Sequence, residues 1–179
     1  MTPLSVADSV RPLAAETSAG MDEETFLLLY ERTAQPLRGY LIRMLNDPAA
    51  ADDLLQESYL RLLKTKRAEF ISDEHLKNYL FRIATNLIRD HRARRKETGL
   101  DQDIAVNSSP PDGDVTRMLG ALKPAQRELL WLAYVERFNH FEIARMLSLK
   151  PQSIRPLLSR ARHAFAQALR RGGFGETTR

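Results

Sequence analysis

HFEIARMLSLKPQSIRPLLSRARHAFAQALRR, residues 140–171, is the stretch on which the fold turns. Ile143, Ala144 and Leu147 sit at helical spacing in a short first segment. Ser148-Leu149-Lys150-Pro151 is a tight connection. Ile154, Leu158, Ala161, Phe165 and Leu169 then mark one face of a longer helix. Just upstream, a helix opened by Pro124 carries Leu129, Leu130, Leu132, Ala133 and Val135. A short helix, a turn of a few residues and a longer basic helix make a helix-turn-helix. The second helix of such a unit lies in a major groove with its N-terminal residues toward base edges. Here these are Gln152, Ser153 and Arg155, preceded by Lys150. Gln pairs its amide with adenine and Arg its fork with guanine. Arg160 and Arg162, further along, suit phosphate. A plain helical hairpin with a solvated basic face would show the same pattern, so the rest of the chain must decide.

Moving back, residues 97–115 break the periodicity, carrying Ser108-Ser109-Pro110-Pro111-Asp112-Gly113 and few large apolar residues. They read as a flexible linker, whose 19 residues reach at most about 60 Å when extended. Ahead of it, Ser72 caps a helix with Leu76, Leu80, Ile83 and Leu87 on its core stripe, ending in the run Arg92-Ala93-Arg94-Arg95-Lys96. From Arg82 to Lys96 there are six Lys/Arg and one acid, Asp90, a face suited to phosphate. Phe70, Tyr79 and Phe81 lie on or near this helix; they serve either to stack on bases or to fill a core. Asp47-Pro48 opens the preceding helix, with Leu55, Tyr59, Leu62 and Leu63 on one stripe. Asp52, Asp53, Gln56 and Glu57 form its acidic polar face, solvated or turned to a basic protein. An earlier helix starts near Asp22, and Pro36 is expected to end it and open the next. The expected plan is all-α: a loose tail at 1–20, a helical domain at 21–96, the linker, a second helical domain with the helix-turn-helix at 116–171, and a tail at 172–179.

Charge is graded along the chain. Residues 1–60 hold 4 Lys/Arg against 10 Asp/Glu, residues 61–149 hold 16 against 12, and residues 150–179 hold 7 against 1. The back of the molecule attracts a polyanion that the front repels. There is no cysteine, which removes disulfides and thiolate chemistry and fits a reducing cytoplasm. The longest apolar run, Leu129 to Val135, is too short to span a membrane, and no signal peptide is visible. His75, His91, His140 and His163 show no metal-site spacing, and no glycine-rich phosphate loop occurs. No catalytic residue, metal or cofactor is expected.

These runs resemble a known family. AADDLLQESYLRLLK, residues 50–64, is similar to the polymerase-binding segment of extracytoplasmic-function sigma factors of the sigma-70 family. NYLFRIATNLIRDHRARRK, residues 78–96, resembles their minus-ten-reading helix. Leu122-Lys123-Pro124-Ala125-Gln126-Arg127, Glu142-Ile143-Ala144 and Ser159-Arg160-Ala161-Arg162 resemble their C-terminal helix-turn-helix. The motifs stand in the family's order across the linker. The resemblance implies a non-enzymatic cytoplasmic sigma factor, with residues 21–96 as region 2 and 116–171 as region 4. Asp52, Asp53, Gln56 and Glu57 would dock on the beta-prime clamp helices of core RNA polymerase. Lys66, Arg67, Arg82, Asn86, Arg89, His91, Arg92, Arg94, Arg95 and Lys96 would engage the minus-ten element of promoter DNA, the loop from Lys66 to Asp73 holding a flipped base. Lys150, Gln152, Ser153, Arg155, Arg160 and Arg162 would read the minus-thirty-five element. A sequestering anti-sigma protein is a further expected partner. The alternative is a stand-alone helix-turn-helix regulator, which leaves the DDLLQE face unexplained.

Three positions depart from the family. Pro156 falls inside the recognition helix, where proline costs about 3 kcal/mol. A helix capped by Ser153 and starting near Ile154 would avoid that cost and is expected here. Leu157 replaces a frequent basic residue. Ser148 replaces the usual turn glycine, and a positive φ there would cost on the order of 1 kcal/mol.

Overall fold

The computed structural model describes residues 21–65, 72–99 and 114–172, and every regular element among them is helical. Helix α1 (Glu23–Leu45) starts at Asp22, whose carboxylate accepts the Thr25 N–H at 2.9 Å. Helix α2 (Pro48–Leu63) is capped by Asp47, which accepts the Ala50 N–H at 3.1 Å, with Pro48 in the first position. Asn46 sits at φ 54° between them and closes α1 through its N–H to the Ile42 carbonyl, so the chain reverses within two residues. Helix α3 (Asp73–Glu97) opens on Ser72, with Asp73 and Glu74 at its positive end and Arg94, Arg95 and Lys96 at its negative end.

The C-terminal half begins with α4 (Asp114–Gly120), two residues inside the stretch expected as linker. Helix α5 (Pro124–Leu130) widens into a π-helical turn over Trp131–Val135, where the Glu136 N–H reaches the Trp131 carbonyl at 3.1 Å. Helix α6 (His140–Leu147) and α7 (Pro151–Arg171) complete the helix-turn-helix. Asn139 and Glu142 cap α6 reciprocally.

Two expectations about helix boundaries fail. Helix α1 runs unbroken through Pro36, because Leu29, Thr33, Leu37, Tyr40 and Leu41 are buried on both sides of it while Pro36 itself is exposed. Likewise α7 starts at Pro151, not near Ile154, and passes through Pro156. Lys150, not Ser153, holds the cap position, and its side chain makes no capping bond. Ile154, Leu158 and Ala161 are buried while Pro156 faces solvent. In each helix the proline leaves one carbonyl without its N–H, at a surface position open to water, and apolar packing on the opposite face holds the helix across it.

Leu37, Leu41, Leu54, Leu62, Leu80 and Ala84 fill the core of the N-terminal bundle, each buried leucine contributing roughly 2 kcal/mol. Thr33 donates to the Leu29 carbonyl and accepts from the Tyr59 hydroxyl at 2.7 Å inside it. Leu63, expected on the core stripe of α2, is exposed, and Leu54 takes its place. Helix α3 buries more than its expected stripe. Leu76, Leu80 and Leu87 are joined by Phe81, Thr85 and Ile88, because α3 packs on α1 and α2 with one side and on α6 with another. Phe81, at 5.1 Å from the Phe138 ring, is core, and no base can stack on it.

Candidate functional site

The acidic face of α2 divides in two. Asp52 is held in a two-point pair by Arg38 of α1, Nε to Oδ1 at 2.6 Å and Nη2 to Oδ2 at 3.0 Å, and the hydrogen bond from that guanidinium lowers the Asp52 pKa. Glu57 pairs with Arg61 one turn on, at 2.7 Å. Asp53 and Gln56 stand exposed between them. Leu60 and Leu63, 52% and 39% exposed, continue the same line at spacings of four and three. The face thus presents a carboxylate, an amide and two leucines in one row. Helical spacing alone does not reveal its apolar half, because leucine on an amphipathic helix is more often core.

On α3 the expected DNA-facing residues separate by depth. Asn86, Arg94 and Lys96 are exposed. Arg82 lies over the Tyr79 ring at 4.8 Å, which orients its charge outward. His91 is half-buried; burial first, then the nearby Arg95 and Arg94, lower its pKa. Arg95 is half-buried. Arg92 turns inward, donating to the Met44 carbonyl at 2.9 Å, whereas Arg89 is exposed and donates to the Leu147 carbonyl at 3.3 Å. Lys66, Arg67 and Phe70 lie outside the described residues.

In the helix-turn-helix, Gln152 and Arg155 are exposed in the first turns of α7, and Ser153 is half-buried beside them. Lys150 is exposed at the turn, and Arg160 is exposed further along. Arg162 contacts the Tyr134 hydroxyl at 3.3 Å. Ser148 takes φ 56°, and the Leu149 N–H reaches back to the Ala144 carbonyl at 2.8 Å. This left-handed step aims α7 away from α6.

An exposed acidic and apolar row and two helices with exposed basic residues thus occur in one chain. The family model for sigma-70 region 2 matches residues 29–98, and that for sigma-70 region 4 matches residues 112–164. The chain belongs to the sigma-70 family, in its extracytoplasmic-function group. It is 28% identical to the RNA polymerase sigma factor CarQ of Myxococcus xanthus, over 74% of this chain and 82% of that one. It is 26% identical to the ECF RNA polymerase sigma factor SigM of Bacillus subtilis, over 80% and 94%. Its fold is similar to that of the sigma factor RpoE from Bartonella quintana, solved with the anti-sigma factor NepR (TM-score 0.69, 22% identity, covering 82% of this chain and 98% of that one).

The region 2 match spans α1 to α3, and the region 4 match spans α4 to most of α7. As a sigma factor, the protein directs core RNA polymerase to promoters and starts transcription there. No helix among the described residues is long and apolar enough to cross a membrane.

Proposed function

We propose that this sigma factor docks on the clamp helices of beta-prime through the row Asp53, Gln56, Leu60 and Leu63, with Asp52 and Glu57 fixing its edges. The observation that carries this is the exposed row on α2 that joins a carboxylate and an amide to two leucines. Carboxylates repel DNA, so the row meets protein. Arg82, Asn86, Arg94, Arg95 and Lys96 then face the minus-ten element, and Lys150, Gln152, Ser153, Arg155, Arg160 and Arg162 the minus-thirty-five element. Each DNA contact is weak alone. Held together by polymerase, the two act at high effective concentration. The Bartonella protein was solved with an anti-sigma factor, and CnrH with the cytosolic domain of CnrY. We carry a sequestering partner over to this chain on that basis.

Run-off transcription with core polymerase and a promoter library tests the assignment. Wild-type protein is expected to bind core and give defined transcripts, while Asp53→Arg with Gln56→Ala loses core binding and keeps its helical circular dichroism. DNA binding without core binding by the wild type would make the protein a stand-alone regulator instead.

A further inference from the structure

Helix α7 buries one face and exposes the other. Ile154, Leu158 and Ala161 are buried against α5 and α6, and Leu157 is half-buried beside them. Gln152, Arg155, Pro156, Ser159 and Arg160 are exposed. At about 100° of turn per residue, Pro156 and Ser159 fall within about 40° of Gln152, with Arg155 about 60° to one side of it and Arg160 about 80° to the other. The exposed face therefore has a cation on each flank and a central line of Gln152, Pro156 and Ser159. Gln152 and Pro156 are four residues apart, so their side chains are neighbours one turn from each other.

A recognition helix turns such a face to the floor of the major groove. The flanking arginines have the length and charge to reach phosphate or guanine. Gln152 and Ser159, on the central line, can exchange hydrogen bonds with base edges. Pro156 between them cannot. Its ring is apolar and its nitrogen carries no hydrogen. A purine edge or a cytosine amine placed under that ring would lose its water and gain no partner, which penalises those bases. Thymine is the one base that presents an apolar group in the major groove, its C5-methyl. Ring methylenes set against that methyl remove apolar surface from water on both sides. The methyl lies on one side of its base pair, so the contact also distinguishes T·A from A·T.

We propose that Pro156 is a specificity-determining residue, whose ring packs on the C5-methyl of one thymine in the minus-thirty-five element. This rests on the reading of α7 as the minus-thirty-five helix and adds the base chemistry at one position of it.

Holoenzyme assembled from core polymerase and the full chain selects promoters from a library randomised over the minus-thirty-five element. Wild type is expected to enrich a thymine position that Pro156→Ser holoenzyme does not. Deoxyuridine keeps every hydrogen-bonding group of thymine and lacks only the methyl. Placed at the enriched position of the selected duplex, it should weaken binding of wild-type holoenzyme about fourfold, the effect of one buried methyl group. Pro156→Ser holoenzyme should bind the two duplexes alike. Pro156→Ala keeps a methyl of its own and should fall between them. Both variants are expected to keep the helical circular dichroism of the wild type. An equal response of wild type and Pro156→Ser to deoxyuridine at every thymine of the element overturns the proposal. So does a wild-type selection that enriches no thymine position while favouring other bases. A wild-type holoenzyme that uses all library members alike would strike the assignment of α7 itself, and the proposal with it.

Discussion

Ser148 and Arg137 hold backbone conformations that their side chains disfavour, at φ 56° and 60°. A left-handed residue with a Cβ costs about 1–2 kcal/mol, and glycine returns about 0.4–1 of that through the entropy of its unfolded chain. Ser148→Gly and Arg137→Gly should therefore each stabilise the protein by about 1 kcal/mol, raising the melting temperature by about 2–4 °C. Differential scanning calorimetry checks this, and a fall in either variant would mean that the side chain makes a contact worth more than the strain. Ser148 was legible as a strained turn because it follows a short helix and precedes Lys150-Pro151. Arg137 carries no local signal: arginine favours no turn, and the strain exists because the chain must leave the π-helical turn and reach Asn139. Caps were the most readable single residues. Asp22, Asp47 and Ser72 each bond the N–H three residues ahead, as side-chain chemistry alone requires.

Prolines misled the sequence reading at the scale of the element. Pro36 and Pro156 both lie inside helices that continue past them. Local propensity argues for a break at each, and tertiary burial of the opposite face overrides it. In α7 the loss falls at the carbonyl of Gln152, an exposed residue of the recognition helix. An interior proline costs about 3 kcal/mol and recovers about 1 kcal/mol by stiffening the unfolded chain. Pro156→Ala is therefore expected to stabilise the protein by about 2 kcal/mol in urea unfolding. The backbone amide that this substitution introduces should also be protected from hydrogen exchange. An exposed, fast-exchanging amide there would show that this turn of α7 is not helical in solution. Helix α3 shows the converse limit. Its stripe of Leu76, Leu80 and Leu87 was readable from spacing, whereas Phe81, Thr85 and Ile88 are buried by a second neighbour, and one period cannot announce two neighbours.

At the scale of the molecule, Glu128 of α5, buried against α1 and α3, links stability to pH. Burial is the larger influence and raises its pKa above the ordinary carboxylate range, while Arg92, the Tyr40 hydrogen bond and Arg89 pull it down. The groups facing it are Tyr40 from α1, itself bonded to Thr85, and Arg89 and Arg92 from α3. A carboxyl with a raised pKa takes up a proton more readily folded than unfolded. Its contribution to stability is therefore fullest below the unfolded value of about 4.3 and is lost as pH rises through the folded value. Glu128→Gln removes this dependence. The stability of wild type minus that of Glu128→Gln should fall as pH climbs from about 4 toward neutrality, as read from thermal melts in a buffer series. A difference that rises over that range would show that the Arg92 charge outweighs burial.

The sequence by itself determined where most helices start, which faces are charged and which family those faces resemble, because caps, periodicity and charge runs act within a few residues of one another. Only the tertiary structure decided that Glu128 is buried, that Arg92 reaches the Met44 carbonyl and Arg89 the Leu147 carbonyl, and that Leu60 and Leu63 stand exposed in line with Asp53 and Gln56. Burial needs a second surface. Tyr40 and Glu128 are 88 residues apart in the chain, too far for any local pattern in either helix to encode their meeting.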